Sequence, residues 1–400
     1  ETALREQAHR LHDHLTRTPE TNITDVARAL ALTRTHFPHR AALTGTHRNE
    51  LLHALTQLTH GETAPNIIRG HTHTNGRLAF LFAGQGSQRL GMGQELYHTY
   101  PAFAQALDAA CAAIDPHLEH PLQHAMFQDP HLLNHTAYTQ PALFALETAL
   151  YHLLQTWNIT PHYLTGHSIG EITAAHAAGV LNLTDAATLV TTRGHLMQQL
   201  PPGGTMLAIQ APPTHIEPLL TNQQATIAAI NSPTNTIISG THHALTHIAQ
   251  QLNPHTKTQL LNVSHAFHSP LMQPMLEKFR QTLHTLTYHP PTIPIISTLT
   301  GTTATTEQLT NPEHWINHTL QPVLFHHAIK TLTTLNTTTY LELGPDTTLT
   351  TLTQHTNTTA TTLPTLHKNQ PEPHTLTTTL AHLHTTGTPI NWHNHHTPTT

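Results

Sequence analysis

Apolar positions recur first at helical and then at strand spacing along this chain. Leu4, Ala8, Leu11 and Leu15 share one helix face, Val26, Leu30 and Leu32 open a second amphipathic run, and Leu51, Leu52, Leu55 and Leu58 mark a third. Arg40–Leu43 reads as a short strand, and Gly61–Asn75, rich in Gly, Pro, Thr and His, reads as a linker. At Arg77 the pattern changes. Leu78–Phe82 and Tyr163–Thr165 are short, continuous apolar runs that each stop at a glycine turn, as buried parallel strands do. Helical stretches, Phe103–Ile114 and Pro141–Trp157, fill the interval.

A second kind of alternation occupies Gly204–Val263. Met206–Ile209, Ala225–Ile230, Thr236–Ile238 and Leu260–Val263 read as strands, Ile216–Leu220 and Ala244–Leu252 as helices, and Asn231-Ser232-Pro233 as a turn. That order is β-α-β-β-α-β, the plan of a ferredoxin-like unit. Strands resume at Ile293–Ser297 and Tyr340–Leu343, so this unit is expected as an insertion. The predicted class is α/β: an α/β linker domain over 1–75, a large α/β-hydrolase-like domain with a parallel sheet over 76–204 and 267–362, and the ferredoxin-like subdomain over 205–266. From about Leu363 the chain turns Pro, His and Thr rich, with one helix near Leu376–Leu383 and Trp392 as apolar anchor; 363–400 is expected to pack back on the body. A cleft between the two α/β parts is the expected substrate site.

Composition narrows the classes. Four hundred residues imply two or three domains, and the apolar share is enough to bury a core. Only 10% of residues are charged and the net charge is −6, with no basic stripe, which argues against nucleic acid. No apolar run is long enough to span a bilayer and no signal peptide is recognisable. Cys111 stands alone in an Ala-rich stretch, which excludes a disulfide within the chain. A chain that opens on Glu1 and ends in a polar tail is expected to be cytoplasmic and to come from a longer polypeptide. The 42 histidines invite a metal reading, but about four adjacent pairs are expected at that frequency and three occur. They lack Cys or carboxylates at ligand spacing, so no metal is expected.

The chemistry starts at Gly166-His167-Ser168-Ile169-Gly170, a G-x-S-x-G motif between an apolar strand and an Ala-rich helix. Glycines let the strand turn sharply into the helix and present the serine hydroxyl, with the Ile169 amide at the helix start able to meet an oxyanion. A base is needed, and Val263–Pro270 offers two, His265 and His268, which spacing does not separate. The turn Gly84–Gln88 closing the first strand could supply a second oxyanion donor or cradle a phosphate, and it lacks the Lys-Ser/Thr of a nucleotide loop. Arg193, 25 residues after Ser168 in an otherwise apolar helix, is a candidate clamp for a carboxylate or else a solvated arginine.

Taken together and in order, Gly84-Gln85-Gly86-Ser87-Gln88, Tyr138-Thr139-Gln140-Pro141-Ala142, Gly166–Glu171, Arg193-Gly194, His265-Ala266-Phe267-His268 and Leu341-Glu342-Leu343-Gly344-Pro345 resemble the acyltransferase domain of modular type I polyketide synthases. The resemblance covers the whole chain. It makes 1–75 similar to the ketosynthase–acyltransferase linker and 363–400 to the post-acyltransferase linker. It implies Ser168 as nucleophile and His268, not His265, as general base, held by main-chain carbonyls instead of an acid. It further implies the Gln85 and Ile169 amides as oxyanion hole, and Arg193, Gln140, His167 and Phe267 around the substrate.

The reaction so implied is ping-pong transfer of an acyl group from coenzyme A to the phosphopantetheine thiol of an acyl carrier protein. No cofactor is implied as a permanent resident; the phosphopantetheine belongs to the partner. The carrier protein, the ketosynthase and other domains of the same polypeptide are the expected partners. His-Ala-Phe-His is similar to the malonyl-selective signature, whereas Tyr-Ala-Ser-His accompanies methylmalonyl selectivity. Phe267 gives a physical reason, since its ring fills the space of a 2-methyl branch, and Ile169 also looks malonyl-type. One departure stands out: His318 occupies a place where the family commonly has Asn near the catalytic His. The alternatives are a methylmalonyl-selective acyltransferase, a serine hydrolase or thioesterase, which needs an acid between nucleophile and histidine, and an inactive docking module.

Overall fold

The computed structural model describes residues 1–72, 76–220 and 224–396. The N-terminal unit has helices Thr2–Arg17, Ile23–Thr33 and Arg48–His60 and a two-stranded antiparallel sheet of β1 (His39–Leu43) and β2 (Ile67–His71). Its small core joins Ala8, Leu15, Leu55 and Leu58. β2 lies inside the stretch expected to be a linker. Its residues look like linker because they sit on a two-stranded ribbon with only Ile68 buried. Residues 73–75 of that linker, 221–223 of the inserted unit and 397–400 of the tail lie outside the described residues.

The large sheet is parallel throughout, in the order β12 (Thr361–Pro364), β11 (Thr337–Leu343), β3 (Arg77–Phe82), β4 (Tyr163–Gly166). Helices cover it, so Leu78–Phe82 is buried on both faces, as its unbroken apolar run requires. The chain adds β4 on one side of β3 and β11 on the other. The carboxyl ends of the central strands, where β3 opens into Gly84–Gln88 and β4 into Ser168, therefore form a switch-point crevice. β12 was not legible in the sequence, and the expected boundary between 362 and 363 falls inside it; its polar Thr-Thr start befits an edge strand.

The inserted unit has β5 (Gly204–Ile209), β6 (Ala225–Ser232), β7 (Asn235–Thr241) and β8 (Thr258–Leu260), antiparallel in the order β6-β7-β5-β8, with the helix His242–Gln251 behind them. Between β5 and β6 the expected helix is only a turn, Pro213–Ile216, continued as a 3₁₀ turn over Glu217–Leu219 where Pro218 breaks it. β8 lies earlier than expected. Its three residues are exposed at the sheet edge, and Leu261–Val263 run on toward His265. Ile293–Ser297 likewise yields only β9 (Ile296–Ser297), paired antiparallel with β10 (Thr302–Thr303), and a single bridge from Ile295 to Leu164. Pro294, lacking an N–H, cannot extend the ladder.

The C-terminal helix Glu372–Thr386 packs on β1 and β2 and locks onto the large domain. Buried Glu372 accepts from the amides of Gly93 (2.8 Å), Glu95 (3.2 Å) and Leu96 (3.3 Å) at a helix start and from Arg89. The many threonines are tolerated in helices because their hydroxyls fold back on carbonyls four residues earlier, as Thr16, Thr56, Thr188 and Thr319 do. Among the described residues no helix is long and apolar enough to cross a membrane.

Candidate active site

Ser168 stands at the turn from β4 into the helix Ile169–Ala177 with φ 51° and ψ −114°, a strained conformation for a residue bearing a side chain. Only glycine fits on either side. A Cβ on Gly166 would lie 2.1 Å from the Gly170 carbonyl carbon, and one on Gly170 would lie 2.3 Å from the Phe82 oxygen. The strain thus projects the hydroxyl into the crevice.

His268, also at positive φ (54°), comes from the loop after β8 and brings Nε2 to 2.7 Å from Ser168 Oγ. Its Nδ1 lies 3.0 Å from the Gln321 carbonyl oxygen, which can only accept. The proton is therefore on Nδ1, and Nε2 is left to accept from the serine. Burial, then Arg193, His318 and His167, push this imidazole well below its ordinary range, so it is neutral near pH 7. The structure also separates the two histidines that spacing left equal. His265 Nε2 faces the Leu200 carbonyl at 3.0 Å and Nδ1 the Ser264 hydroxyl at 2.8 Å, so both its nitrogens are committed to structure.

Arg193, on the helix Leu183–Gln198, is buried (2% exposed). Nη1 donates to Gln140 Oε1 at 2.6 Å, Nη2 to Ser168 Oγ at 3.1 Å, and Nε has no partner. Burial lowers the guanidinium to about 9, which leaves it charged at neutral pH. Among the described residues no carboxylate pairs with it. Gln140, itself buried, is fixed by its amide against Met197 Sδ at 3.1 Å. Phe267 is buried next to His268, its carbonyl accepting from the Ser239 hydroxyl at 2.5 Å.

The backbone amides of Gln85 and Ile169 donate to no group among the described residues. The Gln85 side chain is held off toward Thr136 Oγ1 at 3.2 Å. Gly84 packs so closely on the elbow that a Cβ would sit 2.8 Å from His167 Nδ1. His167 itself turns Nε2 to Asn231 Oδ1 (2.9 Å) on β6, tying the serine turn to the inserted unit. Sequence reasoning gave Asn231 only a turn role. The Gln321 carbonyl was equally invisible, because a main-chain acceptor has no residue signature. Glu171, quoted within the serine motif, received no role although it is fully buried beside it.

The acyl transferase domain family matches residues 79–389, and a family described as CurL-like, PKS C-terminal matches residues 1–55. The spectinabilin polyketide synthase system protein NorB of Streptomyces orinoci is 42% identical over 98% of this chain, which spans only 18% of that protein. The acyltransferase domain from the second module of the salinomycin polyketide synthase superposes with a TM-score of 0.85 at 41% identity, covering 100% of this chain and 94% of that one. The malonyl-CoA:acyl carrier protein transacylase of Xanthomonas oryzae pv. oryzae gives a TM-score of 0.68 at 29% identity over 74% of this chain and 96% of that one.

Proposed function

This chain belongs to the acyl transferase domain family of polyketide synthases, and from that premise we propose that it loads malonyl units from malonyl-CoA onto the phosphopantetheine thiol of an acyl carrier protein through an ester on Ser168. The observation that carries this reading is Arg193: a buried cation with no acidic partner among the described residues, one hydrogen bond from the serine oxygen. A buried unpaired guanidinium is costly, and an acyl group bearing a free carboxylate relieves that cost. An acetyl group does not, so selectivity and binding share one origin.

In the first half-reaction Ser168 Oγ bonds to the thioester carbonyl carbon while its proton passes to His268 Nε2. The amides of Gln85 and Ile169 receive the oxyanion. The intermediate collapses by breaking the C–S bond, and His268 returns its proton to the departing coenzyme A sulfur. In the second half-reaction the carrier thiol gives its proton to His268, its sulfur bonds to the same carbon, and the C–Oγ bond breaks with reprotonation of Ser168. Phe267 is buried beside His268, and its ring supports malonyl over methylmalonyl because a 2-methyl branch would compete with it for space. We place the reaction in the cytoplasm, alongside a ketosynthase and the other domains of one polypeptide.

The test is competition. A phosphopantetheinylated carrier protein is incubated with this protein and equal malonyl-, methylmalonyl- and acetyl-CoA, and the acyl group on the carrier is identified by mass. Malonyl-carrier is the expected product. Predominance of methylmalonyl or acetyl overturns the specificity, and free acid without loaded carrier overturns the transfer.

A further inference from the structure

One buried acid beside the site takes no part in that scheme. Glu171 follows Ser168 by three residues on the same helix and is fully enclosed. Its Oε1 accepts from Ser297 Oγ at 2.6 Å, and its Oε2 from the Thr298 amide at 2.7 Å and hydroxyl at 2.6 Å. Burial alone would push this carboxyl up. The imidazoles of His318 and His314 and those donors outweigh it and hold the group below the usual carboxylate range; His318 is itself lowered to about 3, so near pH 7 the pair carries its charge on Glu171.

His314 and His318 lie one turn apart on the helix Pro312–Leu320, with their rings stacked at 21°. Their Nε2 atoms face Oε1 and Oε2 of Glu171 at 3.5 and 3.6 Å, and neither makes a hydrogen bond elsewhere. The His318 ring also stands edge-on to the His268 ring, with centroids 6.3 Å apart at 86°. The same helix ends at Gln321, whose carbonyl takes the Nδ1 proton of His268.

We propose that Glu171 is a displaced acid of this site, its charge lying one imidazole's width behind His268, with His318 as spacer and the Gln321 carbonyl as the direct contact. Glu171 meets Ser168 only through its backbone amide, which donates to the Ser168 carbonyl at 2.9 Å, and neither its carboxylate nor the His318 ring bonds Ser168 Oγ, so both are positioning residues. When His268 takes the serine proton it becomes a buried imidazolium. From the loop, elbow and helices packed around it, the charged guanidinium of Arg193 opposes that charge, whereas burial lowers His167 and takes His318 down to about 3, so these two imidazoles are neutral near pH 7. Glu171, faced by His318, His314, Ser297 and Thr298, supplies the opposite sign through a dry interior where screening by salt is weak. The inference rests on His268 as the base but not on the identity of the acyl group.

The experiment therefore avoids acyl selectivity. A fluorophosphonate probe labels Ser168 over a pH series, with extent followed by intact mass and folding checked by thermal melting. The midpoint of the rate reports protonation of His268. Glu171→Gln is expected to lower that midpoint by about one pH unit and to slow the plateau about tenfold. Glu171→Asp keeps the charge but draws it back by one methylene, and is expected to lower the midpoint by less, about 0.3 unit. A shift that is larger when the charge is removed than when it is withdrawn marks an effect of charge, which a purely structural role does not produce. A midpoint unchanged in either folded variant, or moved equally by both, overturns the proposal, and Glu171→Asp decides alone where Glu171→Gln does not fold. A parent protein whose labelling of Ser168 does not depend on His268 overturns the assignment of the base as well, which separates the two failures.

Discussion

Arg193 and Ser168 meet across the crevice, Nη2 to Oγ at 3.1 Å, although they lie 25 residues apart, one on the helix Leu183–Gln198 and the other at the turn from β4 into the helix Ile169–Ala177. Gln140 fixes the guanidinium's other arm at 2.6 Å, and under the proposed function that guanidinium takes the carboxylate of an acyl group attached to Oγ. Arg193→Ala is expected to lower kcat/KM for malonyl-CoA about 10²–10³-fold, the worth of one buried ion pair. The ratio of acetyl to malonyl loading rises at the same time. Steady-state transfer with each thioester checks both effects.

The neutral His268 predicts the pH profile. Its folded-state pKa is lowered by burial and by Arg193, so the form able to accept a proton persists to well below the ordinary imidazole range. Acylation of Ser168 is expected to be flat from pH 8 down through about 6.5, the unperturbed value, and to fall only on further acidification. A half-maximal rate above that value contradicts the geometry. Rapid-quench acylation with malonyl-CoA across a buffer series measures it.

Two histidines three residues apart should behave differently. His268→Ala removes the base and is expected to slow acylation about 10²–10⁴-fold. His265→Ala leaves the base in place and costs stability, because the Leu200 carbonyl and the Ser264 hydroxyl lose a partner. That loss is about 1–3 kcal/mol. Acylation rates together with denaturant melts of the two variants separate the roles.

Phe267→Ser opens the space beside the base. Methylmalonyl-CoA is expected to gain at least about tenfold on malonyl-CoA in competition, the usual worth of one methyl in a close-fitting pocket. An unchanged product ratio would place the steric limit elsewhere.

The serine elbow was legible because its information is local: an apolar strand, two glycines with no room for a Cβ, and a helix. The parallel sheet followed from equally local apolar runs, whereas β2 and β12 were hidden because small or edge sheets carry polar residues that resemble linkers. His268 was not separable from His265 by spacing in a chain with 42 histidines; the family resemblance named it, and in the structure it is His268 that lies 2.7 Å from Ser168 Oγ. Arg193 likewise needed either that resemblance or the fold, since nothing in its neighbours distinguishes a buried clamp from a surface arginine. Asn231, the Gln321 carbonyl and the Glu171 contacts all depend on tertiary approach. Each joins segments tens of residues apart, and no period or motif encodes that.

The central claim is an ester on Ser168 formed from a thioester whose acyl group carries a free carboxylate. The most direct measurement is intact mass of the protein after brief incubation with malonyl-CoA and no carrier, with peptide mapping, beside Ser168→Ala. A single malonyl adduct on the peptide containing Ser168, absent from the variant and discharged on adding a carrier thiol, is the predicted result. An adduct that persists in Ser168→Ala, or malonate released with no adduct at any time, would contradict it.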